Sequence, residues 1–250
     1  MPVIHLEIDR VMPGRGIRSN AGTMGVAAVT LIRDGETKVL VDTGHFGGRN
    51  ELLAAFKQRK LDPKEIDIVV LTHIHWDHCL NVDLFPKARI LAGGGELKSG
   101  SLNGVKDGFT KYFKEFLRAM DVESVRDGER ISEHATALLT PGHSPGHVSV
   151  CVKDDNGDLT VMSGDAIPNY RAYRRTSPDL IFYNTSLARS SIARIKKMNP
   201  KRIIPGHDSP FNARGYLEHD EFKLILRREN EENSIITLNT VPADRPIVYV

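Results

Sequence analysis

The spacing of apolar residues along the chain changes several times, and each change marks an element. Alternation over residues 3–9 predicts a strand. Residues 26–33 and 36–41 flank Arg33-Asp34-Gly35-Glu36, and Asp-Gly between two such runs predicts a β-hairpin. From Glu51 to Lys60 the spacing lengthens to the helical period, with Leu52, Leu53 and Phe56 on one face, and Leu61-Asp62-Pro63 stops the helix. Short apolar runs at 66–71, 88–91, 134–139, 147–153, 158–162 and 201–205 predict further strands, with a helix over 186–198 before the last.

Two stretches break this rhythm. Gly93 to Phe116 is glycine-rich and then aromatic, and Ile167 to Asn184 carries Tyr170, Tyr173 and Tyr183; both read as long loops of the kind that form lids or binding loops. From Asn212 onward the chain mixes charges in a helical pattern. It then turns apolar at Pro246-Ile247-Val248-Tyr249-Val250, an edge strand or a subunit contact in a homo-dimer. No Pro/Gly/Ser linker is long enough to separate domains, so residues 1–250 read as one α/β domain with a C-terminal extension from about 212.

Composition narrows the classes of function. The 34 basic residues nearly balance the 32 acidic ones, for a net charge of +2, so no long-range field favours nucleic acid or an anionic membrane. No apolar stretch approaches the length of a membrane span, and the N-terminus lacks a signal-peptide core. Two cysteines, Cys79 and Cys151, are too few for a disulfide framework, which points to reduced thiols and a cytoplasmic protein.

The densest chemistry follows the apolar run Ile68-Val69-Val70-Leu71: His73-Ile74-His75-Trp76-Asp77-His78 places three imidazoles and a carboxylate in six residues. Neutral imidazole is the commonest metal ligand, and clustered imidazoles repel one another once protonated, so the pattern points to a metal. Cys79 beside it reads as a small buried side chain rather than a soft ligand. Three later strands end the same way: Pro141-Gly142 leads to His143, Ser163-Gly164 to Asp165, and Pro205-Gly206 to His207. A glycine before each ligand-type residue suits a tight turn that aims the side chain at a shared point along one sheet edge.

The set H-x-H-x-D-H, Pro141-Gly142-His143, Gly164-Asp165 and Pro205-Gly206-His207, with Val41-Asp42-Thr43-Gly44 upstream, resembles the metallo-β-lactamase superfamily of metallo-hydrolases. The resemblance runs in order from about Val26 to His207 and implies a four-layer αββα sandwich with two metals at one edge. It implies that His73, His75 and His143 hold the first metal, that Asp77, His78 and His207 hold the second, and that Asp165 bridges them. A water shared by two ions is deprotonated near neutral pH and attacks the substrate. Asp77 is then the residue to orient that hydroxide and pass a proton to the leaving group. Zinc, iron and manganese all suit such His/Asp sites, with zinc the foremost expectation. Asp42 resembles the family residue that orients the ligand loops, and equally a turn-capping Asp.

The bridging carboxylate resembles the hydrolase branches rather than the true β-lactamases. The stretch from Ser186 to Met198, followed by Pro205-Gly206-His207-Asp208, is similar to the acyl-homoserine lactonase and glyoxalase II branches, which implies a small-molecule ester, lactone or thioester as substrate. The alternative is a phosphodiesterase or endoribonuclease, implied by a smaller branch that Asn81-Val82-Asp83-Leu84-Phe85-Pro86 and Pro205-Gly206-His207-Asp208-Ser209-Pro210-Phe211 resemble; near-neutral charge weighs against a nucleic-acid partner. Tyr170 or Tyr183 is a candidate to hydrogen-bond a developing oxyanion, against a packing role in the core. Arg171, Arg174 and Arg175 suggest recognition of an anion, against a solvated basic loop. His147 reads as structural, His45 as part of a pocket wall, and His5, His134 and His219 as surface residues.

Overall fold

The computed structural model describes residues 6–19, 22–98, 108–177, 180–226 and 234–239. In chain order the first half runs β1 (Leu6–Met12), β2 (Arg15–Ser19), β3 (Gly22–Val26), β4 (Val29–Asp34), β5 (Thr37–Val41), α1 (Arg49–Gln58), β6 (Ile68–Val70), α2 (Trp76–Cys79), β7 (Arg89–Gly93), α3 (Gly94–Lys98), α4 (Gly108–Ala119) and β8 (Glu123–Val125). The second half runs β9 (Ala135–Leu139), β10 (Val148–Lys153), β11 (Leu159–Gly164), α5 (Tyr170–Arg175), α6 (Thr185–Lys197) and β12 (Arg202–Pro205), followed by β13 (Phe211–Asn212), β14 (Gly215–Tyr216), β15 (Glu221–Leu226) and β16 (Ser234–Asn239).

Each half builds one six-stranded sheet, in the orders β1-β4-β5-β6-β7-β8 and β14-β13-β12-β11-β10-β9. The period of two along each strand separates three apolar layers. Val69, Leu40 and Leu31 face outward to Leu52 and Phe56 of α1 and Leu117 of α4. Val39, Val41, Ile68 and Val70 face inward and meet Ala135, Ala137, Val148, Val150, Met162 and Ile204 of the second sheet. On that sheet's outer side Leu138, Cys151, Val161 and Ile203 pack on Ile192 and Ile195 of α6. Helix, sheet, sheet, helix is the αββα sandwich that the motif resemblance implies.

The strands and helices expected from hydrophobic spacing are present with shifted ends. Three expectations are corrected. The stretch from Gly93 to Phe116 is not a long loop: it holds α3 and α4 around undescribed residues, and Leu117 at the end of α4 is fully buried. Ile167 to Asn184 likewise contains α5, whose first turn is capped by the Asn169 side chain accepting from Ala172 N–H at 2.8 Å. The tail is not helical where it is described: β13 and β14 extend the second sheet, and β15 pairs antiparallel with β16. Ile235, Ile236 and Thr237 are β-branched, which favours a strand over a helix. The apolar end 246–250 and His5 lie outside the described residues.

Among the described residues no helix is long and apolar enough to cross a membrane. Cys79 and Cys151 are both buried and unbridged, in different apolar layers.

Candidate metal centre

The loops that leave β6, β9, β11 and β12 at their C-terminal ends meet along one edge of the sandwich. Parallel pairing of β11 with β12, and the antiparallel steps through β10, put the exits of β9, β11 and β12 on the same side. His73, His75, Asp77, His78, His143 and Asp165 are buried there, and His207 is partly so. All seven residues singled out in the sequence come together. The donor atoms of His73, His75 and His143 lie within 4.8 Å of one another, as do those of Asp77, His78 and His207, and of His73, His78 and Asp165.

The contacts resolve two lobes around one carboxylate. His143 Nε2 lies 2.9 Å from His75 Nδ1 and 3.4 Å from Asp165 Oδ2. Asp165 Oδ1 points the other way, 3.1 Å from His207 Nε2 and 3.5 Å from His78 Nε2, and Asp77 Oδ2 lies 3.4 Å from His207 Nε2. The Nε2 atoms of His73 and His78 are buried with no hydrogen-bond partner among the described residues. Buried polar nitrogens left so are rare in folded proteins, and two of them facing acidic and imidazole donors fit a cation. Burial and the neighbouring histidines hold His73 well below its ordinary imidazole pKa, in the neutral form that ligates. Around His78 burial also opposes charge, but Asp42, Asp77 and Asp165 outweigh it and raise the pKa.

A surrounding set of hydrogen bonds fixes each ring. Asp42 Oδ2 lies 2.8 Å from His78 Nδ1, and the same carboxylate accepts from Thr72 N–H at 2.7 Å and Thr72 Oγ1 at 2.9 Å. Asp42 adopts a left-handed backbone, φ 61°, to make these contacts. The next residues run beside α2, with Thr43 N–H donating to the His78 carbonyl and Leu80 N–H to that of Gly44. The Asp42-Thr43-Gly44 element is thus the shelf on which the ligand helix rests. His143 Nδ1 faces the Leu180 carbonyl at 3.0 Å, and His207 Nδ1 faces the carbonyls of Arg15 and Val26 at 3.2 Å. Cys79 is fully buried and donates its thiol to the His75 carbonyl, which leaves it a packing role.

His147 is not in the lobes. It lies beneath them, with Nδ1 2.9 Å from Thr140 Oγ1 and Nε2 accepting the N–H groups of Asp165 and Ala166 at 3.0 and 3.2 Å. Accepting two bonds at Nε2 puts its proton on Nδ1, and burial keeps it neutral.

A cavity of about 410 Å³ opens over the centre. Its walls beyond the metal-type residues are largely apolar, formed by Ile17, Trp76, Leu180 and Phe182, with Asn169 and Arg171 as polar members. Gly16 and Gly25, paired across the β2–β3 hairpin, close one side. A Cβ on Gly25 would stand 2.3 Å from Asp77 Oδ2 and 3.0 Å from His207 Cε1, so the backbone lies directly on the second lobe. The hairpin went unread in the sequence because Arg15-Gly16-Ile17-Arg18-Ser19 and Gly22-Thr23-Met24-Gly25-Val26 are too glycine-rich to alternate.

Other candidates fall elsewhere. Tyr170 does not line the cavity: its ring packs 5.1 Å from Phe211 and 5.0 Å from Tyr216, in the layer under α6. The packing role, not the oxyanion role, matches those neighbours. Arg171 alone of the three arginines borders the cavity, because Arg174 and Arg175 lie further along α5. His45 caps a short turn through Gly47 N–H and meets Trp76 edge-on at 5.7 Å, just outside the lining. His134 differs from its surface reading, since its Nδ1 lies 2.7 Å from buried Asp34. His219 rests on Tyr216 with ring centroids 5.5 Å apart.

Comparison with known proteins agrees with this architecture. The chain is 29% identical over 170 residues to a probable metallo-hydrolase of Methanocaldococcus jannaschii, covering 68% of this chain and 70% of that one. It is 29% identical over 201 residues to metallo-beta-lactamase domain-containing protein 1 of Xenopus laevis, covering 78% and 77%. It is 23% identical over 163 residues to an N-acyl homoserine lactonase of Bacillus cereus, covering 64% and 62%. A crystal structure of a metallo-beta-lactamase homologue from Thermotoga maritima superposes with a TM-score of 0.68 at 19% identity, over 83% of this chain and 99% of that one. An N-acyl homoserine lactone hydrolase with the product N-hexanoyl-L-homoserine at its catalytic metal centre superposes at 0.66 and 20%, over 83% and 94%. The sequence profile of the metallo-beta-lactamase superfamily spans residues 22–207, from the hairpin over the cavity to the last histidine of the centre. By that match and by its αββα sandwich, the chain belongs to the metallo-beta-lactamase superfamily of metal-dependent hydrolases.

Proposed function

We propose that the protein hydrolyses an ester-type bond of a small molecule, a lactone, thioester or related ester, using two divalent ions. His73, His75 and His143 hold the first, Asp77, His78 and His207 the second, and Asp165 reaches both. The observation that supports this most directly is the Asp165 carboxylate, which turns one oxygen to His143 and the other to His78 and His207. The all-nitrogen and oxygen donor set suits zinc, iron or manganese, of which we favour zinc. When bound, such a pair polarises the scissile oxygen and brings a shared water towards ionisation at neutral pH.

The chain's own groups supply the rest. Asp42, the Leu180 carbonyl and the carbonyls of Arg15 and Val26 hold the rings of His78, His143 and His207 in one orientation, with their Nε2 atoms facing inward. Asp77, at the rim between second lobe and cavity, orients the attacking water and receives its proton for the leaving group. Ile17, Trp76, Leu180 and Phe182 exclude water and seat an apolar part of the substrate. A cavity of about 410 Å³ with largely apolar walls and a near-neutral chain favour a small molecule over a nucleic-acid phosphodiester. Buried, unbridged cysteines fit a reducing cytoplasm.

A substrate panel tests the reading: lactones, thioesters and p-nitrophenyl esters against bis(p-nitrophenyl) phosphate and single-stranded RNA. Carboxylic ester turnover should dominate, disappear on chelation, return with Zn²⁺, and fall by about 10²–10⁴-fold in kcat in Asp77→Ala. Turnover of phosphodiesters alone, lost in the same variant, would replace the proposal with a phosphodiesterase.

A further inference from the structure

Glu96 is 1% exposed, yet the chemistry above gives it no task. Its position follows from the three residues before it. Gly93-Gly94-Gly95 brings the end of β7 so close to Pro145-Gly146 that a Cβ on Gly93 would stand 1.8 Å from the Gly146 carbonyl oxygen, and one on Gly95 2.6 Å from that of Pro145. In return, a Cβ on Gly146 would meet Glu96 N–H nitrogen at 2.3 Å. This contact between backbones carries the first turn of α3, and with it the carboxylate, from the first half of the sandwich into the loop of the second.

There the carboxylate joins two ligand loops. Oε1 accepts from Ser144 Oγ at 2.6 Å and from Gly146 N–H at 2.7 Å, on either side of Pro145 in the His143 loop. Oε2 lies 3.4 Å from the N–H of Ile74, the residue between His73 and His75. The three ligands of the first lobe come from these two loops, whereas Asp77, His78 and His207 make no such bond to Glu96 among the described contacts. A backbone bond from Val148 N–H to the Thr72 carbonyl, 2.7 Å, ties the same loops further back, at the strand ends. Glu96 ties them at the level of the rings.

We infer that Glu96 is a positioning residue for the first metal lobe, setting the distance between the His73–His75 pair and His143 and so the affinity of that lobe over the other. The inference rests on the two-lobe reading of the centre but not on the identity of the substrate. Two short bonds fix the carboxyl group on the His143 loop and a longer one reaches Ile74, and a ligand triad drawn from two loops is only as well formed as the joint between them.

The test is Zn²⁺ titration of metal-stripped full-length protein by calorimetry and chelator competition, with ¹⁵N imidazole spectra to show which histidines coordinate. Glu96→Ala should weaken binding at His73, His75 and His143 by about 10–100-fold and leave the His78 and His207 signals within threefold. Glu96→Gln should recover only part of the loss, because its amide oxygen still accepts from Ser144 and Gly146 while its NH2 group cannot accept from Ile74 N–H. Equal weakening of both lobes, or no change in Glu96→Ala, would overturn the inference. If Glu96→Ala does not fold by circular dichroism, Ser144→Ala decides: selective weakening of the first lobe supports it and unchanged affinity refutes it. Metal binding with the selective loss but no hydrolysis of any ester would sink the functional proposal alone, and a wild-type chain that binds no Zn²⁺ would sink both.

Discussion

Single glycines govern how closely the backbone approaches the centre. Gly25 is the sharpest case, since any side chain there enters the space of Asp77 and His207. Gly25→Ala should therefore push the β2–β3 hairpin off the second lobe, lowering Zn²⁺ affinity there and kcat/KM by at least about tenfold, an overpacking effect of roughly 1–3 kcal/mol. Titration and steady-state kinetics read it, and a variant with wild-type values would show the hairpin to be free of the centre. Gly206 plays the matching part below, where a Cβ would stand 2.1 Å from Asp165 Oδ1. The seven metal-type residues were legible in the sequence because each follows a strand through a glycine or a short polar link. Glu96 was not: its bonds are to groups 22 to 50 residues away, and no local pattern announces a carboxylate whose partners lie across the fold. Sequence alone leaves Asp42 between two readings, which its bond to His78 separates, and leaves Tyr170 between an oxyanion and a packing role, of which its neighbours Phe211 and Tyr216 match the second.

Elements set the loops' angles. The start of α6 presses on the His143 loop: Asn184 N–H donates to the Gly142 carbonyl at 2.9 Å, and Ser191 Oγ to that of Pro141 at 2.7 Å. Gly142 has φ 141°, and a Cβ on it would lie 2.2 Å from Ala188 N. Gly142→Ala should lift α6 from the loop, cost about 1–3 kcal/mol in chemical denaturation, and loosen the first metal together with the fold. Coupled losses in both measurements are the expected outcome; a fully stable Gly142→Ala would mean that the helix does not brace the loop. Regular elements were read well because burial on one face imposes a period. The glycine-rich β2–β3 hairpin, the short α3 and α5, and the β15–β16 pair lack such a face in sequence and are defined by contacts or pairing instead.

At the scale of the whole molecule, the two sheets are tied at both edges. Opposite the metal centre, Asp34 at the end of β4 accepts from Ser132 Oγ at 2.6 Å, His134 N–H at 2.8 Å and His134 Nδ1 at 2.7 Å. Its hydrogen bond to Asp34 raises His134 above its ordinary pKa of 6.5. Burial opposes ionisation of Asp34, but these donors outweigh it and lower its pKa below 3.8. Stability from the raised histidine is full below pH 6.5 and fades as pH climbs through the raised value; that from the aspartate fades only in acid, below 3.8. His134→Gln should therefore lower Tm by about 1–3 °C near pH 6 and by less at pH 8.5. A deficit independent of pH would show that His134 does not change charge between those two values.

The chain has no disulfide among its described residues, yet each lobe of the centre brings together side chains from both halves of the sandwich, and Asp165 faces both lobes. A cation held there would do the work of a covalent staple, one that the surroundings can fasten or unfasten. Resistance to heat would then follow the free metal in the surrounding fluid, and scarcity of the ion would slacken the molecule as it idled it.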